Sequence, residues 1–337
     1  MREKEKDIVE RATQNFEKET GLKVILRYNE RQNEYDVTLN IMVDEHRLEF
    51  NAEVKLFLNR ARVGLVLNRL RGMRGMNLLI TEYVNPELMK TLEENEINFM
   101  DAVGNAYINV PPLIIKIKGN RIGETNKLRT AKGTFHTAAL QVIFTLLCNP
   151  GMERRTIRVI EENAGVATGT VYNTIKELVK QDYLLERNFQ RYKLINKEEL
   201  LERWVTLYPE KLKPKYLIGR YGVTEDQVNN LQLENYNALW GGEEAAARLT
   251  NYLQPFIYTI YIGDRQGEFI LRNRLRRDPK GNLILMKKFW KFENHGYVDM
   301  VHPILVYADL LATGDPRNIE TAKIIYEKEI VRYIQED

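Results

Sequence analysis

Hydrophobic and polar positions follow two periods along this chain, and the changes between them mark out three segments. In the first, up to about Arg121, Ile8 to Thr20 has helical spacing and Lys23 to Arg27 reads as a strand. Asp36 to Val43 and Leu48 to Lys55 alternate with period two around Asp44-Glu45-His46, the pattern of a hairpin. A helical stretch continues to about Leu70, then an apolar strand runs from Asn77 to Tyr83 and a helix opens at Pro86. Phe99 to Ile108 and Leu113 to Ile117 read as closing strands. The expectation is an α/β sandwich around one mixed sheet, with Gly119 to Lys132 as a polar linker.

The second segment is the most informative. A short amphipathic helix carries Ile157, Ile160 and Ala164 on one face, Gly165-Val166 makes a turn, and a second helix starts near Thr168. Val171, Ile175, Leu178 and Val179 recur on one side of that helix, while Thr168, Thr170, Tyr172, Asn173 and Lys176 fall largely on the other. Tyr183 to Arg187 and Arg191 to Ile195 then alternate as two strands around Asn188-Phe189-Gln190. This is the order of a winged helix-turn-helix, a module that usually binds DNA; the alternatives are a protein-interaction module or plain helix packing. The second helix would enter a major groove, and Arg155, Arg158, Arg187, Arg191 and Lys193 would meet phosphates. Ala167 stands where a Ser cap is common, so Thr168 must cap the helix or the cap is lost.

The third segment starts after Trp204. Leu207 to Pro214 reads as a Pro-punctuated connector, Thr224 to Leu231 as a short helix, and Gly241-Gly242 as a turn feeding another helix that Pro255 ends. Phe256 to Ile262 reads as a strand, and Glu268 to Leu275 and Leu283 to Phe289 as two strands joined at Asp278-Pro279-Lys280-Gly281. Two helices close the chain, with Gly314, Asp315 and Pro316 as stop, cap and first position.

Charge sharpens the reading of the middle segment. From Arg129 to Asn196 there are ten Lys and Arg against six Asp and Glu, a net of +4 on a chain whose total is +3. A basic module in a nearly neutral chain is the footprint of phosphate contact. Arg265 to Lys291 is denser still, with nine cations against Glu268 and Asp278. Its Arg272, Arg274, Arg276, Arg277, Lys287 and Lys288 are read either as a second nucleic-acid or partner surface on a basic hairpin, or as a solvated face over core Phe289 and Trp290. With 44% hydrophobic and 29% charged residues the composition is that of a globular protein. No apolar run reaches the ~18 residues of a membrane span. Cys148 is the only cysteine, which excludes disulfides and cysteine metal sites, and the four histidines show no ligand spacing. The cytoplasm is the expected compartment, with no membrane contact.

Asp36 begins one strand of the first hairpin and Glu53-Val54-Lys55 ends the next. Two carboxylates and a lysine converging at strand ends are the ingredients for holding Mg²⁺ and activating water against a phosphodiester. In order and spacing the pattern resembles the restriction-endonuclease-like fold. That resemblance implies Asp36 and Glu53 as metal ligands and Lys55 as the residue that orients water or stabilises charge. The alternative is a plain ion pair, since Glu53 and Lys55 share a strand face. Asp101 to Asn105 reads as a structural turn, with Asp101 bonding nearby amides.

Two C-terminal motifs carry a wider resemblance. Ala238-Leu239-Trp240-Gly241-Gly242-Glu243-Glu244-Ala245-Ala246 with Tyr252-Leu253-Gln254-Pro255 is one, and His302 to Ala322, containing Thr313-Gly314-Asp315-Pro316-Arg317-Asn318, is the other. With the winged helix and the Asp101 to Asn105 motif before them, they resemble AbiEi-like antitoxins of type IV toxin–antitoxin systems. The resemblance implies a transcriptional autoregulator that binds its own promoter, and an antitoxin opposing a nucleotidyltransferase-like toxin. Tyr307, Asp309, Asp315, Arg317 and Glu320 are either a polar surface for a partner or caps and helix contacts, with structure favoured. No Gly-Ser turn with paired aspartates marks this chain as the toxin.

The expected class is a multidomain α+β protein. It comprises a restriction-endonuclease-like α/β domain (1–125), a winged helix-turn-helix (126–205) and a C-terminal α+β domain (206–337). The favoured function is a DNA-binding antitoxin without catalysis or cofactor. The alternative is an Mg²⁺-dependent nuclease targeted by the winged helix. A symmetric operator would call for a homodimer, although no heptad seam is present to form one.

Overall fold

The computed structural model describes residues 3–28, 35–56, 58, 60–120, 135–187, 191–294, 296–297 and 299–335. The chain divides into two compact units, 1–132 and 133–337. Most of the expected linker, residues 121–132, lies outside the described residues.

The first unit is a seven-stranded sheet in strictly sequential strand order. Helix α1 (Glu3–Thr20) leads into β1 (Val24–Tyr28), β2 (Val37–Val43) and β3 (His46–Lys55), an antiparallel meander. Helix α2 (Arg60–Gly72) then crosses to β4 (Met76–Thr81) and α3 (Pro86–Glu94) crosses to β5 (Asn98–Asp101). Both crossovers produce parallel pairs, which need a connection of this length. Strands β6 (Ala106–Val110) and β7 (Leu113–Ile117) finish the sheet antiparallel. Strand alternation separates two cores. Leu78 and Ile80 of β4 pack with Ile8, Val9, Ala12 and Phe16 of α1, whereas Leu79 joins Val66, Leu70, Leu88 and Leu92 of α2 and α3. Burial on both faces explains why β4 reads as a continuous apolar run.

The span Phe99 to Ile108 is not one strand but two, and Asp101 is the reason. Its Oδ1 accepts from the amides of Val103 (3.1 Å) and Asn105 (2.8 Å), and its Oδ2 from the Val84 amide (2.9 Å) and Asn105 Nδ2 (2.8 Å). With Gly104 at φ 95°, those bonds close a tight turn between β5 and β6. Burial raises the Asp101 carboxyl while its hydrogen bonds from Asn105, Val84 and Val103 pull it back.

The second unit opens with α4 (Thr137–Cys148), α5 (Ile157–Ala164), α6 (Thr168–Lys180) and the antiparallel pair β8 (Leu184–Arg187) and β9 (Arg191–Leu194). Helix α7 (Lys197–Leu207) follows, then a π-helical turn (Tyr208–Leu212) and α8 (Lys213–Tyr216). The connector expected at Leu207 to Pro214 is therefore helical. Pro209 and Pro214 each fall in the opening turn of a new helical segment, where a missing N–H costs little.

Beyond it lie β10 (Leu217–Gly222), α9 (Glu225–Asn229), β11 (Leu239–Gly241), α10 (Gly242–Thr250), β12 (Tyr258–Ile262), α11 (Gln266–Arg272), β13 (Arg276–Arg277) and β14 (Leu283–Lys287). The five strands stand in the order β11-β12-β14-β10-β13. This corrects two expectations. Most of Glu268 to Leu275 is helix, with Phe269 fully buried against Tyr236. Nor do β13 and β14 form a hairpin, because β10 lies between them and pairs with both. The turn Asp278 to Gly281 instead passes over the end of β10. A Cβ on Gly281 would sit 2.1 Å from the Tyr221 carbonyl oxygen, so only glycine fits. Helices α12 (Pro303–Leu311) and α13 (Pro316–Ile325), a second π-helical turn (Tyr326–Ile330) and α14 (Val331–Gln335) complete the unit. An aromatic cluster ties its halves together: Phe144 of α4 packs on Trp204 of α7 and on Phe289, Trp290 and Phe292 beyond β14.

Candidate nucleic-acid interface

Helix α5 is capped by Thr156, whose hydroxyl faces the Val159 amide, and ended by Gly165 in the left-handed region at φ 66°. Helix α6 has no side-chain cap. Ala167 occupies that place, and Thr168 spends its hydroxyl on Glu161 instead, donating to Oε2. Val171, Thr174, Ile175 and Leu178 turn into the core. The opposite face exposes Thr168, Gly169, Tyr172, Asn173 and Lys176, with Thr170 half-buried at its edge. Lys176 Nζ lies 4.4 Å from the centroid of the Tyr172 ring, a cation–π contact that orders both side chains. Tyr192 of β9 belongs to the same neighbourhood. Its hydroxyl is pushed up by partial burial, by Glu186 and by Tyr172.

Arg155 and Arg158 at the start of α5 are exposed. Arg158 pairs with Glu162 at 3.2 Å, an exposed i,i+4 contact weak enough to be exchanged for a phosphate. Arg187 and Arg191 are paired by backbone across β8 and β9, but their side chains and residues 188–190 lie outside the described residues. Lys193 is half-buried on β9 and engaged with neighbouring groups.

The basic run of the third segment does not form one surface. Arg272, Arg274, Arg276 and Arg277 are exposed on α11, the following loop and the edge strand β13. Strand β13 pairs with the Tyr221–Gly222 end of β10, the same end that faces Leu283 of β14. Lys287 and Lys288 sit at the other end of β14, roughly 13 Å along the strand. Lys287 pairs with Asp264 at 3.1 Å, and Lys288 donates to Asn237 Oδ1 at 2.7 Å. Burial pulls Lys288 down to about 8.

In the first unit Asp36, just ahead of β2, lies near enough to Glu53 of β3 for their charges to interact. Asp36 Oδ2 accepts from the Val54 amide at 2.8 Å. Glu53 is fully buried, facing Lys55 Nζ at 2.6 Å and Arg69 Nε at 2.9 Å. Burial raises the Glu53 carboxyl, Lys55 and Arg69 lower it, and the charge of Asp36 raises it further. A metal at this point would have to displace cations that already neutralise Glu53. Among the described residues no three His, Cys, Asp or Glu side chains converge as a metal site.

The two C-terminal motifs are joined through buried polar groups. Glu243 Oε2 accepts from the Phe256 (2.7 Å) and Ile257 (3.2 Å) amides, and its Oε1 accepts from Asn318 Nδ2 at 3.0 Å. Asp309 is buried on α12. Its Oδ1 accepts from Tyr208 (2.8 Å) and Lys213 Nζ (2.7 Å), and its Oδ2 from Tyr261 (2.7 Å). Gly241 leaves room for this network, since a Cβ there would lie 2.5 Å from the Tyr261 ring. Tyr307 is buried too, against Tyr326, and Asp315 caps α13 through the Arg317 amide. Only Arg317, stacked on Phe256 at 4.5 Å, and Glu320, bonded to Tyr252, border solvent-exposed aromatics. Sequence reading did not find Tyr208, Lys213, Tyr261 or the Glu243–Asn318 pair as a network. Their partners stand tens of residues away, and no local spacing announces them.

The fold is thus a multidomain α+β protein in which three helices and a two-stranded sheet share a core with a C-terminal sheet domain. Residues 193–331, less than half of the chain, match the sequence model of the family described as "Transcriptional regulator, AbiEi antitoxin, Type IV TA system". The chain resembles AbiEi-type antitoxins through this region, which holds both motifs. No curated protein and no solved structure matches the chain.

Proposed function

We propose that this protein is a DNA-binding autoregulator and the antitoxin of a type IV pair, with α4 to β9 acting as a winged helix. The observation that carries the reading is the split character of α6. Its apolar side is closed into the core while Thr168, Tyr172, Asn173 and Lys176 stand exposed on the other side, with no described part of the second unit covering them. A helix of that composition suits the major groove, where Asn pairs with adenine and short hydroxyl side chains accept either base. Arg155, Arg158, Arg187, Arg191 and Lys193 would hold phosphates. The family description supports a regulator that opposes a toxin. A duplex covering the chain's own promoter tests this by mobility shift. Wild type should bind it over a scrambled duplex, and Asn173→Ala should lose that preference while keeping non-specific affinity.

A second reading keeps one specific observation. The order α1-β1-β2-β3-α2-β4, with Asp36 at the entry to β2 and Glu53 on the adjacent β3, supports a restriction-endonuclease-like domain. Mg²⁺-dependent nicking of plasmid that vanishes in Glu53→Gln would make this reading primary.

A further inference from the structure

Among the nine cations of residues 265–291, one stands next to the helix-turn-helix. Phe289, Trp290 and Phe292 are buried against Phe144, so strand-like alternation turns the residue between the last two outward, and Lys291 is exposed. Two hydrogen bonds fix the backbone there. Gln141 Nε2 of α4 donates to the Phe289 carbonyl at 2.7 Å, and the Lys291 amide donates to the Asn163 carbonyl, in the last turn of α5, at 2.8 Å. The Lys291 side chain then runs along the turn between α5 and α6. Its Cγ and Cε lie 3.5 Å from where a Cβ on Gly165 would stand. Among the described residues no carboxylate neutralises its ammonium, in contrast to Lys287.

We propose that Lys291 is a phosphate-contacting residue of the DNA interface, supplied by the C-terminal sheet domain to the turn that leads into α6. This rests on the winged-helix reading of α4 to β9. The methylene stem is packed on the turn and the backbone is bolted to α5, so the ammonium is presented to a duplex with little loss of side-chain freedom. The contact is sequence-independent, because a lysine ammonium is a point charge for phosphate oxygens. The same geometry leaves Arg276 and Arg277 out of the interface, since they stand at the far end of the sheet.

The experiment is the salt dependence of full-length protein binding to a labelled mixed-sequence duplex, by anisotropy. Lys291→Gln should lower the slope of log K against log salt by about 0.9, the release of one phosphate's counterions. Lys291→Arg should keep the wild-type slope, and Arg276→Gln/Arg277→Gln should keep it too. A wild-type slope in Lys291→Gln overturns the inference and leaves the DNA reading standing. A wild-type protein that shows no salt-dependent binding overturns the DNA reading and the inference with it. Loss of slope in the double arginine variant, with none in Lys291→Gln, would move the phosphate surface to β13.

Discussion

Replacing Asp309 by Ala removes the acceptor on which three elements of the second unit converge. Tyr208 and Tyr261 are fully buried and 2.7 Å apart, so without the carboxylate each can serve only the other. One hydroxyl then donates to its neighbour and the second hydrogen has no acceptor. Two charge-assisted bonds at roughly 1.5–3 kcal/mol each are lost, whereas Lys213, a quarter exposed, returns to water at small cost. The expected loss is about 3–5 kcal/mol, in line with breaking a buried charged group's contacts from one side. Asp309→Asn should cost only about 1–2 kcal/mol, because a rotated amide can donate to one tyrosine and accept from the other. Urea unfolding followed by tryptophan fluorescence isolates the relevant unit, since Trp204, Trp240 and Trp290 are the only tryptophans and all lie within 133–337. A loss below about 1 kcal/mol for Asp309→Ala would refute the reasoning, as would an equal loss in both variants.

Gly241→Ala should destabilise the same unit by about 1–3 kcal/mol through overpacking on the Tyr261 ring, read by the same unfolding curve; unchanged stability would mean the ring has room to move. His302 caps α12, its Nδ1 accepting from the Ile304 amide, and burial together with the charge of Arg332 lowers it from 6.5 to about 3. A group depressed in the folded state stabilises above its unfolded value and loses that contribution as pH falls. Wild type should therefore weaken relative to His302→Asn by about 1.4 kcal/mol per pH unit as pH falls from 6.5 toward about 3; parallel stability curves over that window would contradict this. On the interface, Asn173→Ala should cost about 1–3 kcal/mol on the true site and little on scrambled DNA, measured by competition binding. Equal loss on both sequences would assign Asn173 to the backbone instead.

Local pattern carried most of the elements. The two helices around Gly165, the meander turning at Asp44 and Glu45, and the stop, cap and first position at Gly314, Asp315 and Pro316 are all short-range signals, and each is found where its chemistry puts it. The failures were long-range. Apolar residues of α11 read as strand, yet the segment is helical and its Phe269 is fully buried against Tyr236 of a distant 3-10 turn. A turn at Asp278 to Gly281 was legible, but not that β10 would insert between the strands it joins. That insertion divides the basic run into two ends of a sheet, which no count of charges along the sequence reveals. The exposed face of α6 was visible from spacing alone. The role of Lys291 was not, because its place beside Gly165 depends on residues 126 positions apart in the chain.

The most direct test of the central claim is to sequence the genomic DNA fragments that the purified full-length protein retains, with Mg²⁺ present. Enrichment of one promoter with repeated half-sites, its fragments intact, is the expected result for an autoregulator reading DNA through α6. Unselective retention, or fragments cut at defined positions, would contradict it and shift the function to the seven-stranded domain that carries Asp36 and Glu53.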